Sequence, residues 1–455
     1  MLNKNHVTAL VGCLLVVAMV MVSCDSAFDA KETTIISPDN VLRSGYPGAT
    51  VMALGPWVRL VNVMDDISYM PEVATDNVDE TDSFQSSADF DRGVWHSGLL
   101  ELNYMYAGLH DARKEADLFL TKYIDEFDLT VQYPTTSGTP PVATRANTLR
   151  AYVRLMRGWS TLYLGLLFDR VNFEKGDLTS PQVAIQRAID DFVAVDAMYN
   201  ATSNAPETRW NGLNIRKAAN TLLAKAYLQM GRYTEVLAAS AKGLQKTDSQ
   251  ADRTVMAPYE QAVGSGPGQG PNALFTAAVA NATVTNKRYS MNKFFITEDP
   301  KDERVNLDSV TTAGQRFVQF GGNDRNINEG YVLGFNSPRV LRKLASATLA
   351  GSFIRILSWQ DNALMSAEAK IRSGNIAGGV ADINSIRMDV KTDAGQAVPL
   401  AVATDQQSAM TALEYEIRME LCGEAASYFI ALQRWDRNHH VNAARKYFLV
   451  LPQSE

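Results

Sequence analysis

Residues 215–245, IRKAANTLLAKAYLQMGRYTEVLAASAKGLQ, carry the pattern that decides the fold class. Ala224, Tyr227, Gly231 and Tyr233 stand at the spacing of a tetratricopeptide repeat. That repeat wants a small residue where two helices touch, an aromatic packed across the pair, and a glycine at the turn. Val236 and Gly243 stand where the repeat usually carries Ala, so the match is partial. A weaker copy runs from Phe353 to Arg387, with Ala367 and Gly374 in the corresponding places. Such helix pairs bury their faces only by stacking on neighbours. Two readable copies are too few for a regular solenoid, which predicts repeat units embedded in a larger, mainly α scaffold.

The flanking sequence extends the helical reading. From Leu99 to Phe127 apolar residues recur at helical spacing, among them Leu102, Met105, Leu109, Ala112, Ala116 and Phe119. Pro134 to Pro141 is a Thr/Gly/Pro loop, and a further helix is predicted from Arg145 to Phe168. Ser180-Pro181 has the form of a helix start, with Ser as N-cap, leading into Gln182 to Tyr199. Residues between the N-terminal tether and Leu99 read as a long polar region. Thr247 to Arg342 changes character: it holds the Gly/Pro stretch 264–271, scattered aromatics, many Asn and β-like runs such as Gly330 to Phe335. The predicted organisation is an N-terminal helical region over 41–250, an irregular ligand-loop region over 251–345, and a C-terminal helical region over 346–455. Loops held by a rigid scaffold are where binding residues usually sit.

The N-terminus speaks to location. Lys4 precedes an apolar run from Val11 to Val22 that is too short to span a bilayer, as a secretory h-region is. It closes on Met21-Val22-Ser23-Cys24, a small residue before a cysteine, which matches the bacterial lipobox. Residues 1–23 then form a signal peptide, Cys24 is the lipidation site, and 24–40 form a polar, acidic tether. An ordinary signal peptide with an incidental Cys is the alternative. Of three Cys, Cys13 falls in the removed segment and Cys422 stands alone, so no internal disulfide is expected in the mature chain. Each buried acyl CH₂ contributes on the order of 0.8 kcal/mol, so a multi-chain anchor is effectively permanent. In bacterial lipoproteins of the kind this chain resembles, acidic residues just after the Cys accompany transfer to the outer face of the outer membrane, which is the expected location.

Composition bounds the rest. The 455 residues carry a formal net charge of -7, with 46% hydrophobic and 20% charged residues, ample for a large core. No basic stripe is dense enough to neutralise a run of phosphates, so no nucleic-acid partner is expected. There is no Gly-x-Ser-x-Gly elbow and no His-Glu-x-x-His helix, and Ser290-Met-Asn-Lys293 lacks its Lys-Thr-Gly partner. The stretch 264–271 lacks the closing Gly-Lys-Ser/Thr of a phosphate loop. His439 and His440 are adjacent and would diverge by about 100° on a helix, a poor start for one metal site. These motifs give no catalytic signature, and no cofactor beyond the lipid is expected.

Three segments together resemble the SusD/RagB family of outer-membrane nutrient-binding lipoproteins. One is the Arg- and aromatic-rich helix Arg150 to Phe168. The second runs from Ile354-Arg355 through Ala367-Glu368-Ala369 to Ile383-Asn384-Ser385-Ile386-Arg387. The third holds Arg418-Met419-Glu420-Leu421, Gly423-Glu424, Phe429, Leu432 and Arg434-Trp435, and ends at Pro452-Gln453-Ser454-Glu455. Their order, with the lipobox, carries the resemblance. Glu424 departs from it, because a basic or aromatic residue is more usual there. The resemblance implies a lid over a SusC-like TonB-dependent transporter, capturing an oligosaccharide or, as in the RagB branch, a peptide. A tetratricopeptide-like envelope assembly lipoprotein is the competing reading.

A glycan site needs flat aromatic faces for the sugar C–H groups and amides or carboxylates for the hydroxyls. Asp76, Asn77 and Asp79, followed by Trp95, offer both, in a loop resembling one that precedes the family's first long helix. This stretch lacks the mid-loop Gly and closing Glu of a helix–loop–helix calcium site, so calcium is not expected. Trp210, Tyr289 and Tyr331 are the further candidates, while Trp159, Trp359 and Trp435 are assigned to the core. The lipobox makes a direct prediction: Cys24→Ser abolishes incorporation of labelled palmitate and releases the protein from the membrane fraction. Label retained in that variant would refute lipidation at Cys24.

Overall fold

The computed structural model describes residues 38–75, 77–80, 89, 93–130, 140–173, 178–201, 203–258, 289–291, 307–311, 339–341, 354–390, 397–435 and 449. Its helices in chain order are α1 (Pro38–Arg43), α2 (Tyr46–Ala74), α3 (Leu100–Leu118), α4 (Val142–Leu167), α5 (Pro181–Met198), α6 (Ile215–Gln229) and α7 (Tyr233–Ser240). They continue with α8 (Trp359–Arg372), α9 (Ile376–Arg387), α10 (Gln406–Leu421) and α11 (Ser427–Trp435). Antiparallel strand pairs join distant segments: β1 (Val78–Glu80) with β5 (Tyr289–Met291), β2 (Arg209–Trp210) with β3 (Leu213–Asn214), β4 (Thr254–Ala257) with β8 (Ile354–Ser358), and β6 (Leu307–Thr311) with β7 (Arg339–Leu341). The fold is mainly α, a helical-repeat scaffold with short strand excursions.

The repeat reading holds at its centre. Asn214 caps α6, its side chain accepting from Lys217 N at 3.2 Å, and the turn into α7 falls at Gly231. Arg232 lies over the Tyr227 ring, 4.4 Å from its centroid. The α8–α9 pair repeats this plan with caps at Ser358 and Asn375 and a turn at Gly374. Gly243, standing where the repeat usually has Ala, has a packing reason. A Cβ there would lie 2.6 Å from Thr221 Oγ1 and 2.9 Å from Asn362 Oδ1. At this close approach Asn362 donates to the carbonyls of Ser240 and Leu244, at 2.9 and 2.8 Å, docking α8 onto the preceding unit. Helices α2 to α9 pack in sequence order, each on the next, and α10 closes on α8 and α9.

Several boundaries differ from the sequence reading. The stretch read as a long polar region holds α2, a 29-residue helix with Pro56 and Pro71 inside it. Proline costs about 3 kcal/mol in a helix interior. Here the burial of Leu60, Val61, Met64, Ile67, Met70 and Val73 outweighs it. The helix expected to reach Phe127 ends at Leu118 and relaxes into a π-turn over Phe119–Tyr123. The start of the second repeat copy is strand β8, not helix, before α8 begins at Trp359. Ser180 does stand at the N-cap of α5, though its side chain makes no capping bond. Gly330 to Phe335, His439 and His440 lie outside the described residues.

Several charged residues of the second and third motif segments are one another's partners. Glu368 of α8, 1% exposed, accepts from Arg434 Nη2 at 2.6 Å, Trp435 Nε1 at 2.9 Å and Arg372 Nε at 3.0 Å. Burial alone would raise its carboxyl, but Arg434 and Arg372 hold it below the ordinary value. Arg355 of β8 pairs with Glu420 at 2.8 Å and with Glu424, which accounts for the acid after Gly423. Arg387 donates to the buried Glu416 at 3.0 Å. Trp159, Trp359 and Trp435 are all buried, as expected.

One buried core histidine makes no side-chain hydrogen bond among the described residues. His110 on α3 is buried against Tyr106, with ring centroids 4.5 Å apart, and neither ring nitrogen has a partner. Burial, with Arg113 and Lys114 nearby, lowers its pKa to about 3. A base depressed in the folded state binds fewer protons there than in the unfolded chain. Stability is therefore complete above the unfolded pKa near 6.5 and falls as pH drops toward 3. Between pH 6.5 and 5 the loss is about 2 kcal/mol. Thermal melts should show wild type losing more stability than His110→Phe over this range. Parallel pH profiles for the two proteins would exclude the assignment.

Candidate functional site

The hairpin β2–β3 is built on the dipeptide Asn211-Gly212. Both residues have left-handed φ, 48° and 74°, as a two-residue hairpin turn of the I′ kind requires. Arg209 faces Asn214 and Trp210 faces Leu213 in the ladder, and Asn214 then caps α6, so the hairpin is continuous with the repeat scaffold. The Trp210 ring meets Tyr152 of α4 edge-on at 4.5 Å, and Asn211 Nδ2 donates to the Tyr152 hydroxyl at 3.2 Å. Burial pushes that phenol far above its ordinary pKa, so it stays neutral. Arg209 ties the hairpin to the next loop by donating to Asp252 at 2.6 Å and to the Gly212 carbonyl at 3.0 Å. Ser249 and Asn214 also donate to Asp252, at 2.9 and 3.3 Å.

Beside this hairpin opens a cavity of about 650 Å³, walled by Trp57 of α2, Tyr152 of α4, the loop at 250–253 and strands β4 and β8. That volume lies within the range of small-molecule sites. Its polar lining consists of Arg209, Asn211, Gln250, Arg253, Thr254 and Arg355, and Met256 adds an exposed apolar edge. No carboxylate, His or Cys lines it among the described residues. The arrangement is suited to holding a polar ligand, with no nucleophile–base pair in its walls.

The expected site residues separate into three places. β1 pairs with β5 in the register Asp79↔Ser290 and Glu80↔Tyr289, which sets Asp79 and Tyr289 at adjacent positions of one ladder although 210 residues separate them in sequence. Asn77, just before that ladder, is fully buried. Its Nδ2 donates to Glu72 at 2.5 Å and its Oδ1 accepts from Arg418 at 2.8 Å, so its amide anchors the ladder to the core instead of facing a ligand. Trp95 is half-buried, its ring centroid 6.3 Å from that of Phe429. Trp210 belongs to the separate hairpin. Asp76 and Tyr331 lie outside the described residues. The sequence reading missed Arg209, Arg253 and Trp57. Asn-Gly was the available signal for the hairpin, whereas nothing local marks Arg253.

Comparison with known proteins agrees with this architecture. No family model matches the chain, and no curated protein matches it. Solved structures do. A SusD superfamily protein from Bacteroides thetaiotaomicron superposes with a TM-score of 0.63 at 14% identity, covering 88% of this chain and 92% of its own. Another, from Bacteroides fragilis, gives 0.62 at 12% identity, over 91% and 97%. The chain has the SusD-superfamily fold. A SusD-like carbohydrate binding protein from Bacteroides vulgatus also shares it, at TM-score 0.59 and 14% identity, over 87% and 84%. Among the described residues of this SusD-like fold, no helix is long and apolar enough to cross a membrane, and no group of three His, Cys, Asp or Glu is placed to hold a metal ion.

The hairpin geometry makes a stability prediction. A Cβ at residue 212 would meet nothing within 4 Å, so Gly212→Ala costs only the left-handed backbone penalty, about 1–2 kcal/mol. Denaturant unfolding checks this. An unchanged or raised midpoint would exclude the I′ turn.

Proposed function

We propose that the chain is a surface-exposed lipoprotein of the SusD/RagB kind. It captures an oligosaccharide and delivers it to a SusC-like TonB-dependent transporter in the outer membrane. The observation that carries this reading is the shared fold, extending over 88% of the chain and 92% of a SusD superfamily protein. The lipobox at Cys24 adds the anchor that such a lid needs. The likeness to a SusD-like carbohydrate binding protein favours a sugar over a peptide as the ligand. The ligand-facing features are loops and hairpins on a rigid repeat scaffold: the ladder carrying Asp79 and Tyr289, with Trp95 and, beyond the described residues, Asp76 and Tyr331, and the cavity beside Trp210. The work is capture and release, and no bond to the ligand is made or broken.

Purification of the lipidated protein from native outer membrane, followed by mass spectrometry, tests the reading. A large TonB-dependent barrel recovered near stoichiometrically is the expected result. Recovery of envelope assembly factors instead would favour the tetratricopeptide-like interaction protein and overturn the uptake role.

A further inference from the structure

The cavity beside the β2–β3 hairpin has a charge pattern that a neutral sugar does not require. Arg209, Arg253 and Arg355 all line it, with no carboxylate among its described walls, in a chain whose formal net charge is -7. The three guanidinium groups differ in how they are satisfied. Arg209 is held by Asp252, which is not part of the lining. Arg355 is held through a single nitrogen, Nη2, by Glu420 and Glu424, both set back from the cavity. Arg253 makes no side-chain hydrogen bond or ion pair to any described residue, although it is half-buried and its own carbonyl is fixed by Trp359 N at 2.9 Å. A guanidinium that lines a cavity without a partner among the described residues keeps its donors available to an oxyanion, which accepts charge-assisted hydrogen bonds from it. A planar carboxylate matches that fork in two parallel bonds.

The neighbouring groups describe the remainder of the ligand. Asn211, Gln250 and Thr254 offer amides and a hydroxyl, and Trp57 and Met256 offer apolar surface, in a space several times larger than a carboxylate needs. We propose that this cavity binds an acidic sugar unit of an oligosaccharide, its uronate carboxylate on Arg253 and its hydroxyls on Asn211, Gln250 and Thr254. The inference rests on the capture reading above and narrows its ligand to uronate-containing glycans. Trp210 is a positioning residue for the site: packed on Tyr152, it holds the hairpin that carries Asn211.

Calorimetric titration of the whole mature protein tests this, with short oligogalacturonides, their fully methyl-esterified forms and neutral malto-oligosaccharides. The free acid should bind, more weakly as salt rises, and esterification should cost roughly tenfold or more, as expected for a charge-assisted hydrogen bond. Arg253→Gln should weaken the acid by a similar factor while leaving the melting temperature near wild type. Arg253→Lys, which keeps the charge but not the fork, should fall between. Equal affinity for acid and ester, or no effect of either substitution, overturns the proposal. If no uronate binds while a transporter still co-purifies, the acidic-ligand inference fails and the capture reading stands. If neither occurs, or if only acidic peptides bind through Arg253, the capture of a glycan fails as well.

Discussion

The carboxylate of Glu368 sits in the interior with almost no exposure, and the C-terminal half of the protein is arranged around satisfying it. A buried ion costs several kcal/mol, offset only by excellent geometry and a full set of hydrogen bonds. Arg434 and Trp435 supply that set from α11, and Arg372 from one turn further along α8. Helix α11 therefore has one position on α8 that avoids an unpaired charge. The same logic recurs nearby: Arg355 keys β8 to α10, Arg387 keys α9 to α10, and Lys225 of α6 pairs with Asp361 of α8 at 2.7 Å. Hydrophobic burial supplies the bulk of the stability. These pairs set which helix meets which.

This keying also explains a costly turn. Between α10 and α11, Gly423, Ala425 and Ala426 all take left-handed φ, of 75°, 47° and 59°. For alanine that conformation costs roughly 1–2 kcal/mol per residue. It is held by the Tyr163 hydroxyl donating to the Ala425 carbonyl at 3.1 Å, by Ala425 N donating to Ser68 at 3.1 Å, and by the Arg355–Glu424 pair. The turn delivers Arg434 and Trp435 to Glu368, so its strain is offset by the contacts it makes possible. Tyr163 and Ser68 come from α4 and α2, which ties the N-terminal helices to the same junction.

A scaffold fixed this tightly gives its short excursions fixed points of departure. The hairpin at 209–214 grows directly from the cap of α6, and β1 leaves the end of α2 through the buried Asn77. Each excursion begins at a rigid point, so its tip is placed by the repeat and not by its own length. The ladder that brings Asp79 near Tyr289 has the same character, one strand springing directly from the repeat scaffold and the other arriving from far along the chain.

Local chemistry was legible in the sequence. The helices of the repeat depend on a 3.6-residue period and on glycines at turns, neither of which needs a distant partner. The order of the motif segments carried the likeness to the SusD/RagB family, and several residues of the second and third segments pair with each other across the core. What the sequence did not disclose depends on neighbours. Pro56 and Pro71 count locally against α2, and only the core that buries the helix outweighs that cost. Asn77 had the composition of a ligand residue, but Arg418, 341 positions later, takes its side chain into the interior. The cavity at the hairpin exists because Trp57, Tyr152, Arg253 and Arg355 converge from four separate elements. The sequence by itself determined the helical period and the repeat, because these are local. Tertiary structure alone decided which polar residues face inward and which enclose a binding space, because that follows from long-range packing.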